Sequence, residues 1–257
     1  MMERLRLPQE LFSEIKGIFV NKLGFLPLSI LIAILAALIN QSWLYDPISW
    51  LDHWAYFGLS YYFPDLHLSF SQNPSNELLP VILPAVLAYK LLPVGIADLL
   101  KDLIILTATL FSIGSIVGGI CGRIYGISIM ILMAGYPGFI HHIGESYTTG
   151  YVITYMSLTF YSAYKATQQG NTQKEFNFYF LLAGLFFGLS IMSAILSTLY
   201  IVPLCLFILL INKWRKGFIA SDLLKIILTS LIGFIIAYIL TFLGLVNIFG
   251  ADTSYPL

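Results

Sequence analysis

The sequence predicts an all-α fold: a polytopic bundle of transmembrane helices, about seven spans, with an outward helical loop beside the membrane after the first span. Three observations lead there. Apolar residues make up 58% of the 257 positions and charged residues only 10%, and mean hydropathy is +0.86, far from the balance of a soluble domain. The apolar residues gather into runs close to the length that a hydrocarbon core demands. Lysine and arginine fall between those runs in clusters that can all sit on one side. With 13 basic and 13 acidic side chains the formal net charge is zero, so bulk electrostatics give no reason to expect nucleic acid as a partner.

Residues 1–24 are a charged cytoplasmic N-terminus. Leu11, Phe12, Ile15, Ile18 and Phe19 recur at helical spacing while Glu14, Lys16 and Lys22 fall on other faces, the pattern of an interfacial amphipathic helix. A transmembrane module is expected over 25–246. Its first run, Phe25 to Leu44, is about 20 residues long, enough for a hydrocarbon core of about 30 Å. Gln41, Ser42 and Trp43 lead straight into aromatic sequence, so this is a retained anchor and not a cleaved signal. An outer loop occupies 45–78. The segment Leu78 to Leu92 is short and carries Pro80 and Pro84, so it lies along the membrane or re-enters it. Further apolar runs lie at 97–120, 127–141, 148–165, 177–194, 197–211 and 223–246. Residues 247–257 form a short outward tail without a polar extension. The chain thus reads either as the N-terminal module of a longer protein or as a naturally short form.

Orientation follows from the basic clusters at Arg4, Arg6, Lys16 and Lys22; at Arg123; at Lys165 and Lys174; and at Lys213, Arg215 and Lys216. If all are cytoplasmic, the positive-inside rule is met by seven spans, provided 78–92 does not cross. From Gly24 to Tyr89 there is no Lys or Arg, whereas Asp46, Asp52, Asp65 and Glu77 all lie there, so this loop faces outward. The turn from His141 to Gly150 and the tail with Asp252 face the same way. Lys90 and Lys101 fit less neatly, because the scheme places them near the outer interface. The expected location is a cell (inner) membrane, crossed several times.

Within the outer loop, Trp43 to Asp65 interleaves Trp and Tyr with Asp46, Asp52, His53 and Asp65. Such rings suit the headgroup level of a membrane. The carboxylates beside hydrocarbon are costly and commonly mark function. Asp52, His53 and Tyr56 could share a face of a short helix. A partly desolvated carboxylate there could act as a general base on a hydroxyl. Asp46 precedes Pro47, an arrangement that equally suits a helix N-cap.

The order of charged tail, span, outward segment Asp52-His53-Trp54-Ala55-Tyr56-Phe57-Gly58, and then the proline-punctuated LPVILPAVLAYKLLP resembles the membrane glycosyltransferases of the C-type (GT-C) superfamily. The protein-mannosyltransferase and aminoarabinose-transferase branch is the most similar. Its Asp-x-Trp-x-Tyr-x-Gly stretch is matched by Asp52, Trp54, Tyr56 and Gly58, and its short hydrophobic helix by Leu83-Pro84-Ala85. The stretch from Gly122 to Ala166 looks like the family's basic turn, short span ending near proline, second outer loop and following span. The likeness covers about 40–246 and is largely one of hydropathy.

That resemblance implies a polyprenyl-phosphate sugar as donor, and an acceptor lipid, glycan or protein on the outer face. It implies Asp52 as the catalytic base with Asp46 second. Glu145 becomes the acidic residue of the second outer loop, and His53, Tyr56 and Lys90 become substrate-binding residues. The family's Arg before the proline-rich helix, a bidentate phosphate partner, is replaced here by NPSNELLP, which contains Glu77 and no cation. Lys90 is the nearest basic residue and would act as a point charge. No cofactor is certain, and a divalent metal stays open. His141 and His142, adjacent on a helix, point to different faces and read more simply as interfacial residues.

Walker, HExxH, GxSxG and dinucleotide signatures are absent. Gly114, Gly118, Gly119, Gly122, Gly184 and Gly188 have the spacing of close helix packing. Cys121 and Cys205 lie in apolar stretches outside any ligand spacing. The alternatives to an enzyme are a catalytically inactive relative that assists a partner and, further off, a lipid or solute transporter. The latter would favour charges within the membrane and broken helices.

Overall fold

A computed structural model of the chain describes residues 24–40, 57, 58, 60–62, 79–144, 148–168, 171–215 and 220–249. Every element among them is helical. In order they are α1 (Phe25–Ile39), α2 (Leu79–Leu91), α3 (Val94–Cys121), α4 (Arg123–Ala134), α5 (Pro137–Gly144), α6 (Thr148–Ala166), α7 (Gln173–Ser193), a 3₁₀ segment (Ile195–Tyr200), α8 (Ile201–Arg215) and α9 (Ala220–Phe249). Helix α3, helix α7 and the stretch Leu224–Thr241 of α9 are each long and apolar enough to cross a membrane. They mark the chain as a membrane protein. The 28 residues of α3 extend about 42 Å at 1.5 Å per residue, more than the hydrocarbon core requires. The α2 helix, with Pro84 inside it, has 13 residues and reaches about 20 Å.

Two departures from the apolar runs have local causes. The run at 127–141 is not one straight helix. Helices α4 and α5 meet at 75° across a short break, and only as a pair do they pass for a span. Gly135 ends α4 by donating to the Ile131 carbonyl at 2.8 Å. Tyr136, the residue before a proline, is disfavoured in the helical region, and Pro137 then opens α5 with its φ already set. The run at 197–211 begins in the 3₁₀ segment and becomes regular only from Ile201. The first run ends as a helix at Ile39, where Asn40 donates to the Ala36 carbonyl at 2.9 Å. Residues 41–44 of that run lie outside the described residues, as does the amphipathic N-terminal stretch.

The helices pack around two apolar cores. One gathers Leu28, Ala33, Val81, Leu106, Leu110, Met130, Ile140 and Tyr151 from α1 to α6. The other gathers Ala163, Ala166, Phe180, Ala183 and Ile226 from α6, α7 and α9. Apolar burial drives little between helices in lipid, so close backbone approach and hydroxyl bonding decide the seams. At the α7–α9 seam, a Cβ on Gly184 would stand 1.9 Å from the Ser230 carbonyl oxygen, and one on Gly233 would stand 2.0 Å from that of Leu181. At the α3–α6 seam, the Thr109 and Thr154 hydroxyls lie 2.9 Å apart while each also bonds a carbonyl one turn back in its own helix. Gly122 joins α3 to α4 at φ 107° and ψ 154°, a region that side chains avoid. Beyond it the Arg123 guanidinium lies 5.6 Å from the Phe25 ring centre, tying the start of α4 to the start of α1. The α6–α7 turn is closed by Thr172 and Glu175 in a reciprocal cap.

Candidate functional site: a buried ion cluster at the head of α3

The turns of a helix packed within a bundle in lipid ought to be apolar, yet the second and third turns of α3 carry Asp98, Lys101 and Asp102. The three fall at i, i+3 and i+4, so they share one face. Lys101 Nζ lies 3.0 Å from Asp98 Oδ1 and 3.6 Å from Asp102 Oδ1, and the side chains of Lys101 and Asp102 are only 5% and 3% exposed. Burying one of these charges alone would cost several kcal/mol, by rough Born reasoning. Their proximity is what lets them be buried.

Neighbouring elements complete the cluster. Pro93 separates α2 from α3, and across that break the Tyr89 hydroxyl donates to Asp98 Oδ1, so this oxygen accepts from both Tyr89 and Lys101. A helical turn within 57–62, held by Tyr62 N–H donating to the Gly58 carbonyl at 2.9 Å, presents its rings to Tyr89. Phe57 meets Tyr89 edge-on at 5.6 Å and Tyr61 does so at 6.1 Å, separations at which ring quadrupoles attract. From α6, Tyr155 donates to the Pro80 carbonyl at 2.8 Å, fixing α2. Tyr151 of the same helix is buried and its hydroxyl has no hydrogen-bond partner among the described residues. Phe57, Ser60, Val81, Ala85, Tyr89, Lys101 and Tyr151 line a cavity of about 10 Å³.

The sequence-derived candidates distribute differently. Asp46, Asp52, His53, Tyr56 and Glu145 lie outside the described residues, and of the Asp-x-Trp-x-Tyr-x-Gly match only Gly58 lies within them. Lys90 stands exposed on the last turn of α2 and does not face the cluster's cavity. His141 and His142 lie on α5 with ring centres 5.8 Å apart. Among the described residues no group of three or more His, Cys, Asp or Glu could hold a metal ion. Compared with protein-family models, with curated proteins and with solved structures, the chain matches none.

The cluster carries a signature in the sequence. Hydropathy absorbs Asp98 and Asp102 into the apolar run at 97–120, and the charge pattern alone places Lys101 near the outer interface. The telling signal was the Asp-x-x-Lys-Asp spacing, which places a cation on the same helical face as two carboxylates. Chemically the arrangement offers an ammonium clamped between carboxylates, ringed by tyrosine and serine hydroxyls. It is suited to orienting a polar group.

Proposed function

We propose that this protein is a membrane glycosyltransferase of the GT-C type, moving a sugar from a polyprenyl-phosphate donor to an acceptor lipid, glycan or protein on the outer face. In this reading the chain crosses the membrane about seven times with its N-terminus in the cytoplasm, by the basic clusters between its runs. Asp52 takes the proton from the acceptor hydroxyl, Asp46 assists, and Glu145, His53 and Tyr56 bind substrate. One observation carries most of the weight. The turn at 57–62, which follows Tyr56 directly in sequence, packs against a buried cluster containing a cation, and this supports a reading in which the acidic segment works beside an ammonium. That supplies, from Lys101, a positive charge where the sequence between Asp52 and the proline-rich helix offers none. Lys90, exposed on α2, is the weaker choice for that role.

The test is turnover of prenyl-phosphate sugars by membranes carrying the wild-type protein or Asp52→Asn. Loss of a positioned general base should lower turnover by about a hundredfold or more. Equal activity of the two proteins would remove Asp52 from the base's role, and inactivity of both would favour the accessory reading. A transporter is the second reading. Buried charges in an apolar helix and the broken α4–α5 pair are features such proteins use. Substrate uptake into vesicles without turnover would favour it.

A further inference from the structure

The cavity beside Lys101 has two properties that together specify an occupant. Its volume of about 10 Å³ is close to the smallest that admits a single water. Its wall holds four polar side chains, Ser60, Tyr89, Lys101 and Tyr151, and a buried water typically makes about three hydrogen bonds. One of these, the Tyr151 hydroxyl, is buried without a hydrogen-bond partner among the described residues, a state that costs about 1–3 kcal/mol unless something satisfies it. The remaining wall, Phe57, Val81 and Ala85, is apolar.

We propose that this cavity is the binding site of one ordered water, which joins the Tyr151 hydroxyl of α6 to the Lys101 ammonium of α3 and the Ser60 hydroxyl of the turn at 57–62. The water is a structural joint. It carries polar contact from the segment after the first span, through the ion cluster, to α6, where no direct side-chain bond among the described residues does so. Tyr89 contributes a lone pair to the same site, since its proton is already committed to Asp98. This inference does not depend on which of the functional readings holds.

Pulsed X-ray radiolysis tests it on the full chain in detergent. Hydroxyl radicals form in place from bound water, so a buried tyrosine beside an ordered water is oxidised quickly while an equally buried one elsewhere is spared. Tyr164 is 2% exposed and lies away from the cavity, against 5% for Tyr151. The wild-type protein should therefore oxidise Tyr151 an order of magnitude faster than Tyr164, approaching the exposed Tyr136. Filling the cavity with Ala85→Leu should bring Tyr151 down to the rate of Tyr164. Equal, slow oxidation of Tyr151 and Tyr164 in the wild type overturns the proposal without any variant. Fast oxidation that persists in a folded Ala85→Leu protein overturns it too, because the radicals would then be arriving from bulk solvent. If Ala85→Leu does not fold, Ser60→Ala serves instead, and an unchanged rate of Tyr151 oxidation in it overturns the joint.

Discussion

Replacing Lys101 by methionine keeps the length and most of the volume of the side chain and removes its charge. What remains is a pair of carboxylates on one helical face, Asp98 at 19% and Asp102 at 3% side-chain exposure. Asp98 keeps the Tyr89 hydroxyl and some access to solvent, so its loss is partial. Asp102 loses its charge partner, and its Oδ1 has no hydrogen-bond partner among the described residues. Breaking a buried pair on one side costs about 3–5 kcal/mol, and the partial exposure of Asp98 argues for the lower end, about 3. For a chain of this size that corresponds to a fall in midpoint of about 6–12 °C. The assay is thermal unfolding in detergent followed by tryptophan fluorescence. Removing Asp102 as well, as Lys101→Met with Asp102→Leu, should restore much of the loss, since neither charge is then stranded. A single variant that shifts the midpoint by less than about 2 °C, under 1 kcal/mol by the same scaling, would refute the burial of the pair. So would a double variant whose losses simply add.

Two further outcomes concern backbone approach and turn geometry. Gly233→Ala would press a methyl group against the Leu181 carbonyl at the α7–α9 seam, and overpacking of this kind costs about 1–3 kcal/mol. Ala at the lipid-facing Leu231 is the matched control, and equal midpoints for the two would show the seam to be loose. Gly122→Ala would force a side chain into the φ 107° turn between α3 and α4 at a cost of about 1–3 kcal/mol. Its signature should be a lowered midpoint that Gly122→Asn does not restore, because ψ 154° lies outside the left-handed region that Asn tolerates.

Much of the fold was legible because lipid imposes a simple rule on sequence. Runs at 97–120, 148–165, 177–194 and 223–246 became α3, α6, α7 and α9 with ends shifted by a few residues, since a long apolar stretch has few alternatives to a helix. The glycine spacing at Gly184 and Gly188 announced a close seam for the same physical reason. The break at 135–137 was missed because hydropathy is blind to φ. Gly135, Tyr136 and Pro137 are all acceptable to lipid, and only the restriction that proline places on its predecessor separates α4 from α5. The ion cluster was missed for the opposite reason. Averaging over a window dilutes three charges among twenty-five apolar and small neighbours, while their pairing depends on helical phase. As for Asp46, Asp52 and Glu145, hydropathy and local pattern could nominate them, but what they touch depends on how the outer segments return to the bundle.

Helix α6 contributes Tyr151 to one core and Ala163 and Ala166 to the other. From Tyr151 to Ala166 the helix advances 15 residue steps, about 22 Å, and beyond Gly150 this stretch contains neither glycine nor proline. It therefore behaves as a stiff shaft shared by two bearings. A rotation imposed where Tyr151 meets the ion cluster has no hinge in which to dissipate, and must emerge at the far end against Phe180 and the glycine seam.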